Sequence, residues 1–239
     1  MNQFSFRSCV FSLLFMMLFF LPGCRRYICW GLDVFNTGEL IDTDCDTVRH
    51  YWRACHIYDQ FSPLAHFDVL WLSDEVRVAY ARAHAESHSL CDDRYHALRA
   101  RQLEENNHYI TFYVLSAITP YIGSDDLADK HAEWSLSLCI DDVQYRPVFV
   151  KEVELSPEYV FFFGRACTRF KRTYQVRFDA CDINDELLIN SATRSLTVCF
   201  NRVDREECVT WCLDAQKRVI RDPLNDPDLL LAPLHFTRK

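Results

Sequence analysis

The second half of the chain consists largely of segments in which apolar and polar residues alternate, beginning near His108. Such alternation places apolar side chains on one face of a β-strand and polar side chains on the other. The clearest segments are residues 110–114, 134–140, 174–178, 196–200 and 209–213. Turn-forming residues separate them without a long helical pattern, so they predict an antiparallel β-sandwich over residues 108–216.

Two other apolar runs inside this region also favour β-strands. Residues 145–153 are rich in aromatic and β-branched side chains, and residues 159–163 are apolar throughout. A continuous apolar run is typical of a strand that is buried on both faces. We therefore predict one strand at each position.

Upstream of the alternating segments, apolar residues recur at helical spacing and predict a helical region over residues 44–107. Asp46 lies where a helix N-terminus favours negative charge, and apolar residues follow at intervals of three or four as far as Tyr58. Ser62-Pro63 would end this first helix, because proline lacks the backbone N–H that helical hydrogen bonding needs.

A second helical segment follows a short apolar run at residues 67–72, which favours a strand. Ser73 before Asp74-Glu75 is typical of a helix N-cap and first turn, and helical spacing then continues towards residue 105. Taken together, the segments predict an α+β fold, in which a small N-terminal helical region precedes an antiparallel, immunoglobulin-like β-sandwich.

The N-terminus carries an apolar stretch over residues 10–21 that ends at Pro22-Gly23-Cys24. Its length suits a secretion signal and falls short of the roughly 18 to 20 residues of a membrane-spanning helix. Leu21 and Gly23 before a cysteine resemble the lipobox of bacterial lipoproteins. The resemblance implies signal cleavage between Gly23 and Cys24 and lipid attachment to Cys24.

Two alternatives stay open, an uncleaved signal anchor and an ordinary secretion signal. Arg25-Arg26 favours the signal anchor, since basic flanks tend to stay in the cytoplasm. If the signal is cleaved, the chain divides into a signal peptide (1–23), a tether (24–43), the helical region (44–107), the sandwich (108–216) and a C-terminal tail (217–239).

The lipoprotein resemblance implies a place in the cell envelope, outside the cytoplasm. Several acyl chains on Cys24, palmitate among them, would hold the protein at a membrane without a spanning helix. Arg25 in place of an aspartate after the cysteine favours the outer over the inner membrane. A formal charge of −8 argues against nucleic acid as a partner. The expected partners are therefore the membrane and an envelope protein.

Cysteine usage also favours an oxidising compartment. The chain has 12 cysteines, and an even number remains once Cys9 leaves with the signal and Cys24 carries lipid. Disulfides are a simpler explanation of this number than many buried thiols. A metal cluster in the cytosol is the competing interpretation, but the sequence contains no C-x-x-C pair.

One disulfide follows from the spacing of the last two alternating segments. A turn centred at residues 203–204 sets Cys199 opposite Cys208, and directly opposed residues of an antiparallel pair can lie close enough to bond. The alternative is two half-exposed thiols. Cys139 and Cys212 lie on the polar faces of their strands and could bond each other or, for Cys212, another molecule.

Core residues of the alternating region carry a second resemblance. Trp134, Leu136, Leu138, the Phe161-Phe162-Phe163 run and the segment 174–178 belong to this set. Together they resemble the core pattern of uncharacterised β-sandwich lipoproteins from Gram-negative bacteria. That resemblance implies a fold and a location, and it implies no activity.

The best candidate ligand set lies in the second helical segment. His84, His88 and Cys91 follow at spacings of four and three, which places them on one face of a helix. Imidazole and thiolate are zinc ligands, and His96 is a candidate fourth ligand. The alternative is a solvated polar helix face.

Other catalytic signatures are missing from the sequence. Its 5 glycines form neither a dinucleotide fingerprint nor a phosphate-binding loop, and no G-x-S-x-G motif occurs. We therefore expect a non-catalytic structural or interaction protein of the envelope, stabilised by disulfides and without a cofactor. The alternative is an envelope metal-binding protein or enzyme that uses zinc at His84, His88 and Cys91.

Overall fold

The computed structural model describes residues 43–60, 62–119, 124–214, 216 and 219, with side chains from Asp46 onward. The predicted signal peptide, cleavage site and lipidated Cys24 lie outside the described residues, as do most of the tether and of the tail. Within the described ranges, no helix combines the length and apolarity needed to cross a membrane.

The described chain folds into helices and strands in mixed order. The helices are α1 (Thr43–Arg49), α2 (Asp74–Ser87), α3 (Asp92–His108) and α4 (Pro157–Phe163). The strands are β1 (Trp52–Asp59), β2 (Ser62–Trp71), β3 (Tyr109–Ile118), β4 (Ser135–Ile140), β5 (Val143–Tyr145), β6 (Phe149–Glu152), β7 (Arg172–Asp179), β8 (Ser195–Arg202) and β9 (Arg205–Cys212).

These strands form two sheets. The five-stranded sheet has the order β1-β2-β3-β7-β6, and the four-stranded sheet has the order β5-β4-β8-β9. Neighbouring strands in both sheets are antiparallel. The predicted α+β class with an antiparallel sandwich is therefore confirmed.

Aromatic side chains join the inner faces of the two sheets. Phe67 of β2 stacks on Phe200 of β8, with ring centroids 3.9 Å apart and planes 4° apart. Trp134 meets Phe67 edge-on at 5.7 Å. All three side chains are almost completely buried, and burying each aromatic ring stabilises the fold by roughly 1.5 to 3 kcal/mol.

Hydrogen bonds close one side of the sandwich, where β1 and β9 meet. The indole N–H of Trp211 donates to the carbonyl oxygen of Tyr51 at 3.1 Å. The guanidinium of Arg205 donates to the carbonyl oxygen of Tyr58 at 2.9 Å. Each bond links one sheet to the other, so the two sheet edges are fixed to each other here.

Helices α2 and α4 lie on the outer face of the five-stranded sheet. Tyr159 of α4 contacts Tyr113 of β3, with ring centroids 4.8 Å apart. The same ring stacks on Tyr80 of α2 at 4.6 Å. Burial raises the pKa of the Tyr159 hydroxyl well above its ordinary value, so this phenol stays neutral. The stack brings the C-terminal half of α2 next to the start of α4.

The first predicted helix is mostly wrong. Helix α1 ends at Arg49, and β1 begins at Trp52. Cys55 and Ile57 of β1 are both buried, so the apolar residues of this segment fit the period of two of a strand as well as the helical period. Pairing with β2 decides between the two. The predicted helical region 44–107 therefore contains two strands that belong to the sandwich.

The predicted strand at 159–163 is a helix. Ser156 lies at the N-cap, Pro157 occupies the first turn and Gly164, with φ of 51°, ends the helix. Proline at the start and glycine just after the end are typical helix boundaries, because proline's missing N–H costs nothing there and glycine adopts positive φ readily. These boundary residues outweigh the apolar run.

The predicted strand at 145–153 is two short strands in different sheets. β5 ends at Tyr145 and β6 begins at Phe149, and Pro147 lies between them. Because proline cannot donate a hydrogen bond to a neighbouring strand, it interrupts the pairing at this point.

The last hairpin has the register that the sequence predicts. Cys199 faces Cys208, and the two form a disulfide with Cα atoms 4.1 Å apart. Six other described cysteines are free thiols, so among the described residues the structure contains one disulfide where the sequence predicts several. Cys139 and Cys212 are among the six and are not bonded to each other. Strand β8 separates them, and two strand spacings of about 4.8 Å each exceed the roughly 7 Å limit for a disulfide.

Phe200→Ala tests the contact between the sheets. We expect the free energy of unfolding to fall by about 3 to 5 kcal/mol, because the substitution removes a buried ring and leaves a cavity beside Phe67. The matched control is Phe170→Ala, whose ring is 77% exposed and whose loss should cost less than about 0.5 kcal/mol. Urea unfolding of both variants measures the difference, and equal losses would contradict the assigned packing.

Candidate functional site

The C-terminal half of α2 presents two of the predicted ligands. The helix begins as predicted at Ser73, whose hydroxyl accepts a hydrogen bond from the Val76 backbone N–H at 3.4 Å. His84 and His88 lie one turn apart near its end, with ring centroids 4.1 Å apart.

A buried carboxylate joins the two histidines. Glu158 lies in the first turn of α4, and its Oε1 is 2.8 Å from Nδ1 of His84 and 3.9 Å from Nδ1 of His88. The hydroxyl of Ser87 also donates to this oxygen, at 3.4 Å. The contact follows from the Tyr80–Tyr159 stack, which sets the start of α4 against α2.

The three side chains have the composition of a metal site. One ligand atom from each of His84, His88 and Glu158 lies within 4.8 Å of the others. Two imidazoles and one carboxylate are a known protein ligand set for zinc with an open fourth position. His88 Nδ1 also lies 3.0 Å from the carbonyl oxygen of His84. A bound ion would therefore use Nε2 of His88 or replace this hydrogen bond.

The carboxyl group of Glu158 is charged although its side chain is buried. Its side chain is 5% exposed, and Oε2 has no hydrogen-bond partner among the described residues. Burial raises the pKa of this carboxyl, but hydrogen bonds, including those from its own backbone N–H and from His84, outweigh burial and leave the pKa below its ordinary value. The group is therefore an ionised carboxylate with one oxygen available to a cation.

The structure does not bring the other predicted ligands to this point. Cys91 is an exposed free thiol at the N-cap of α3, and His96 is exposed on α3 beside Tyr95. Their predicted alignment required one continuous helix, whereas α2 ends at Ser87 and the chain turns through Ser89 with φ of 50°.

Glu158 is the residue of this candidate site that the sequence does not predict. Its local signal is a helix start at Ser156-Pro157, but the apolar run that follows favours a strand. Glu158 lies 74 positions from His84, and no local pattern predicts that α4 packs on α2.

Comparisons with known proteins leave the family open. No protein-family model matches the chain, and no curated protein matches it. A crystal structure of a novel protein of unknown function from Burkholderia pseudomallei matches with a TM-score of 0.35 and 13% sequence identity, covering 78% of this chain and 86% of that chain. So low a TM-score carries no functional argument, and the site is interpreted from its own geometry.

Glu158→Gln tests the charged hydrogen bond between α2 and α4. Near neutral pH we expect it to lower the free energy of unfolding by about 1.5 to 3 kcal/mol. Because the folded pKa of Glu158 is lowered, its contribution is present above the ordinary carboxyl pKa of about 4.3 and is lost as the pH falls through the folded value. The difference from the wild type should therefore shrink in acid.

Urea unfolding across this pH range measures the effect. Glu154→Gln is the control, because Glu154 is exposed and lies shortly before Glu158 in the sequence. This substitution should change the free energy of unfolding little at any pH. A Glu158→Gln effect that stays constant down to acid pH would contradict an ionised, hydrogen-bonded carboxylate.

Proposed function

We propose that this protein works outside the cytoplasm as a lipid-anchored, non-catalytic structural or interaction protein of the cell envelope. The observation that carries the proposal is the Cys199–Cys208 disulfide. Disulfides persist in oxidising compartments and are rare in the cytosol. Cys208 lies on the exposed face of β9, where cytosolic reductants would reach the bond.

Lipid on Cys24 would supply the anchor. Leu21 and Gly23 support this assignment because they precede the cysteine as in a lipobox. Each buried methylene of an acyl chain contributes about 0.8 kcal/mol, so several chains hold a protein stably at a bilayer. Arg25 after the cysteine favours the outer membrane, and an envelope protein is the expected partner of the sandwich.

The intact mass of the protein extracted from the membranes of a Gram-negative host tests the anchor. We expect a chain that begins at Cys24 and carries acyl chains. In the Cys24→Ala variant we expect a chain that still carries residues 1–23 or that carries no lipid. A first residue before Cys24, or a mass without acyl chains, would contradict the lipid anchor.

The same preparation tests the compartment. Thiol alkylation without reductant should leave Cys199 and Cys208 joined and should modify Cys212, which is an exposed free thiol in the same hairpin. A fully alkylated Cys208 would contradict an oxidising location. Crosslinked ladders on non-reducing gels that Cys212→Ser removes would instead assign an intermolecular bond to Cys212.

A second candidate function is metal binding at His84, His88 and Glu158. The observation that favours it is the buried Oε2 of Glu158, which has no hydrogen-bond partner among the residues that the structure describes, since a buried carboxylate oxygen needs a donor or a cation. Zinc suits two imidazoles and a carboxylate. With water in the open position, the same centre could activate that water for hydrolysis, which is the enzyme alternative.

Zinc content after dialysis against zinc tests this candidate. We expect one zinc ion per chain at this centre, lost in His84→Ala and in Glu158→Ala because each removes a ligand. Cys91→Ala and His96→Ala are matched controls at exposed positions and should keep the metal. Zinc that is missing from the wild type, or unaffected by Glu158→Ala, would contradict the site.

A further inference from the structure

A second pair of histidines lies on a different part of the fold. His56 of β1 and His66 of β2 are direct cross-strand partners. Their Nδ1 atoms are 2.6 Å apart, and their rings lie at 78° with centroids 3.9 Å apart. Phe67, the next residue along β2, is buried in the core, so the histidine pair lies on the outer face of the sheet.

A buried carboxylate is hydrogen-bonded to the other ring nitrogen of His66. The side chain of Asp68 is 2% exposed, and its Oδ2 lies 2.8 Å from Nε2 of His66. In neutral His66, the proton then sits on Nε2, and the lone pair of Nδ1 points towards His56. In histidines that bind metals, the ring nitrogen that does not bind the ion usually donates to a carboxylate, a carbonyl or water.

Lys171 completes the cluster and balances its charge. Its ammonium group donates to the same Oδ2 of Asp68. The carboxylate and the ammonium therefore cancel, and the two imidazoles are left to bind a cation. A buried Asp without this pairing would be costly.

His56 supplies the second nitrogen. The ring is exposed, and the His66 side chain is 24% exposed. An ion can therefore reach both Nδ1 atoms from solvent. To bind both, it displaces the proton that they share, and the two rings turn so that both lone pairs point at the ion.

The 2.6 Å between the two Nδ1 atoms is a hydrogen-bond distance. Two ligand nitrogens at about 2.0 Å from an ion lie about 2.8 to 3.3 Å apart, so the rings need to separate only slightly to hold one. Among divalent first-row ions, Cu²⁺ binds imidazole nitrogen most tightly.

We propose that His56 and His66 form a surface site for a divalent transition-metal ion, foremost Cu²⁺, with Asp68 orienting the His66 ring. The remaining coordination positions face solvent and accept water. The site shares no residue with the His84, His88 and Glu158 centre, so each can fail without the other. It adds a metal-binding activity that the envelope function does not require.

Titration of the purified protein with Cu²⁺ alone, followed by electron paramagnetic resonance and native mass spectrometry, tests the proposal. We expect a tetragonal signal with nitrogen coupling from two imidazoles. The His84→Ala variant, which disables the candidate zinc centre, should keep that signal. In this background, His56→Ala and His66→Ala should each abolish it. His96→Ala is the matched control, since it removes one exposed histidine that lies elsewhere.

Asp68→Asn separates orientation from coordination. The variant keeps both ligand nitrogens and should weaken Cu²⁺ binding by about 10- to 100-fold while the two-nitrogen signal remains at saturating copper. If this buried substitution unfolds the chain, the exposed His56→Ala variant carries the test alone, with circular dichroism as its folding check. A wild type without the two-nitrogen signal, or a signal that survives His56→Ala in a His84→Ala background, would overturn the proposal.

Discussion

The contact between the two sheets is the constraint on which the rest of the structure depends. Phe67 stacking on Phe200 requires the odd-numbered residues of this part of β2 to face inward, and the pleat then turns His66 and Asp68 outward. The same core that stabilises the sandwich therefore places the histidine pair on the opposite face of the strand. A shift of one residue in the register would exchange these two faces and would turn His66 and Asp68 into the core between the sheets.

The layer of helices outside the five-stranded sheet depends on a second aromatic contact. Tyr159 lies between Tyr80 and Tyr113 and sets α4 against α2. Glu158, its neighbour in sequence, is buried at that junction and meets His84. Asp68 and Glu158, the two buried carboxylates among the described residues, thus resemble each other, since each is hydrogen-bonded to one ring nitrogen of a histidine.

Sequence patterns predicted an element correctly where contacts between residues close in sequence determine it. The Ser73 helix start and the strands of the second half follow from local periodicity and capping. Failures occurred where one pattern fits two structures: β1 also has helical spacing, and the apolar run of α4 also suits a strand. In α4 the boundary residues Ser156-Pro157 and Gly164 carried the better signal. In β1 only pairing with β2 separates the two structures.

The sequence by itself determined the hairpin register and hence the Cys199–Cys208 bond, which joins residues 9 apart on two strands linked by one tight turn. It also determined that His84 and His88 share a helix face. The tertiary structure alone decided that Glu158 meets His84 and that Lys171 meets Asp68, because these two contacts join residues 74 and 103 positions apart. Contacts of this range depend on how buried faces pack, and local spacing carries no information about which faces meet.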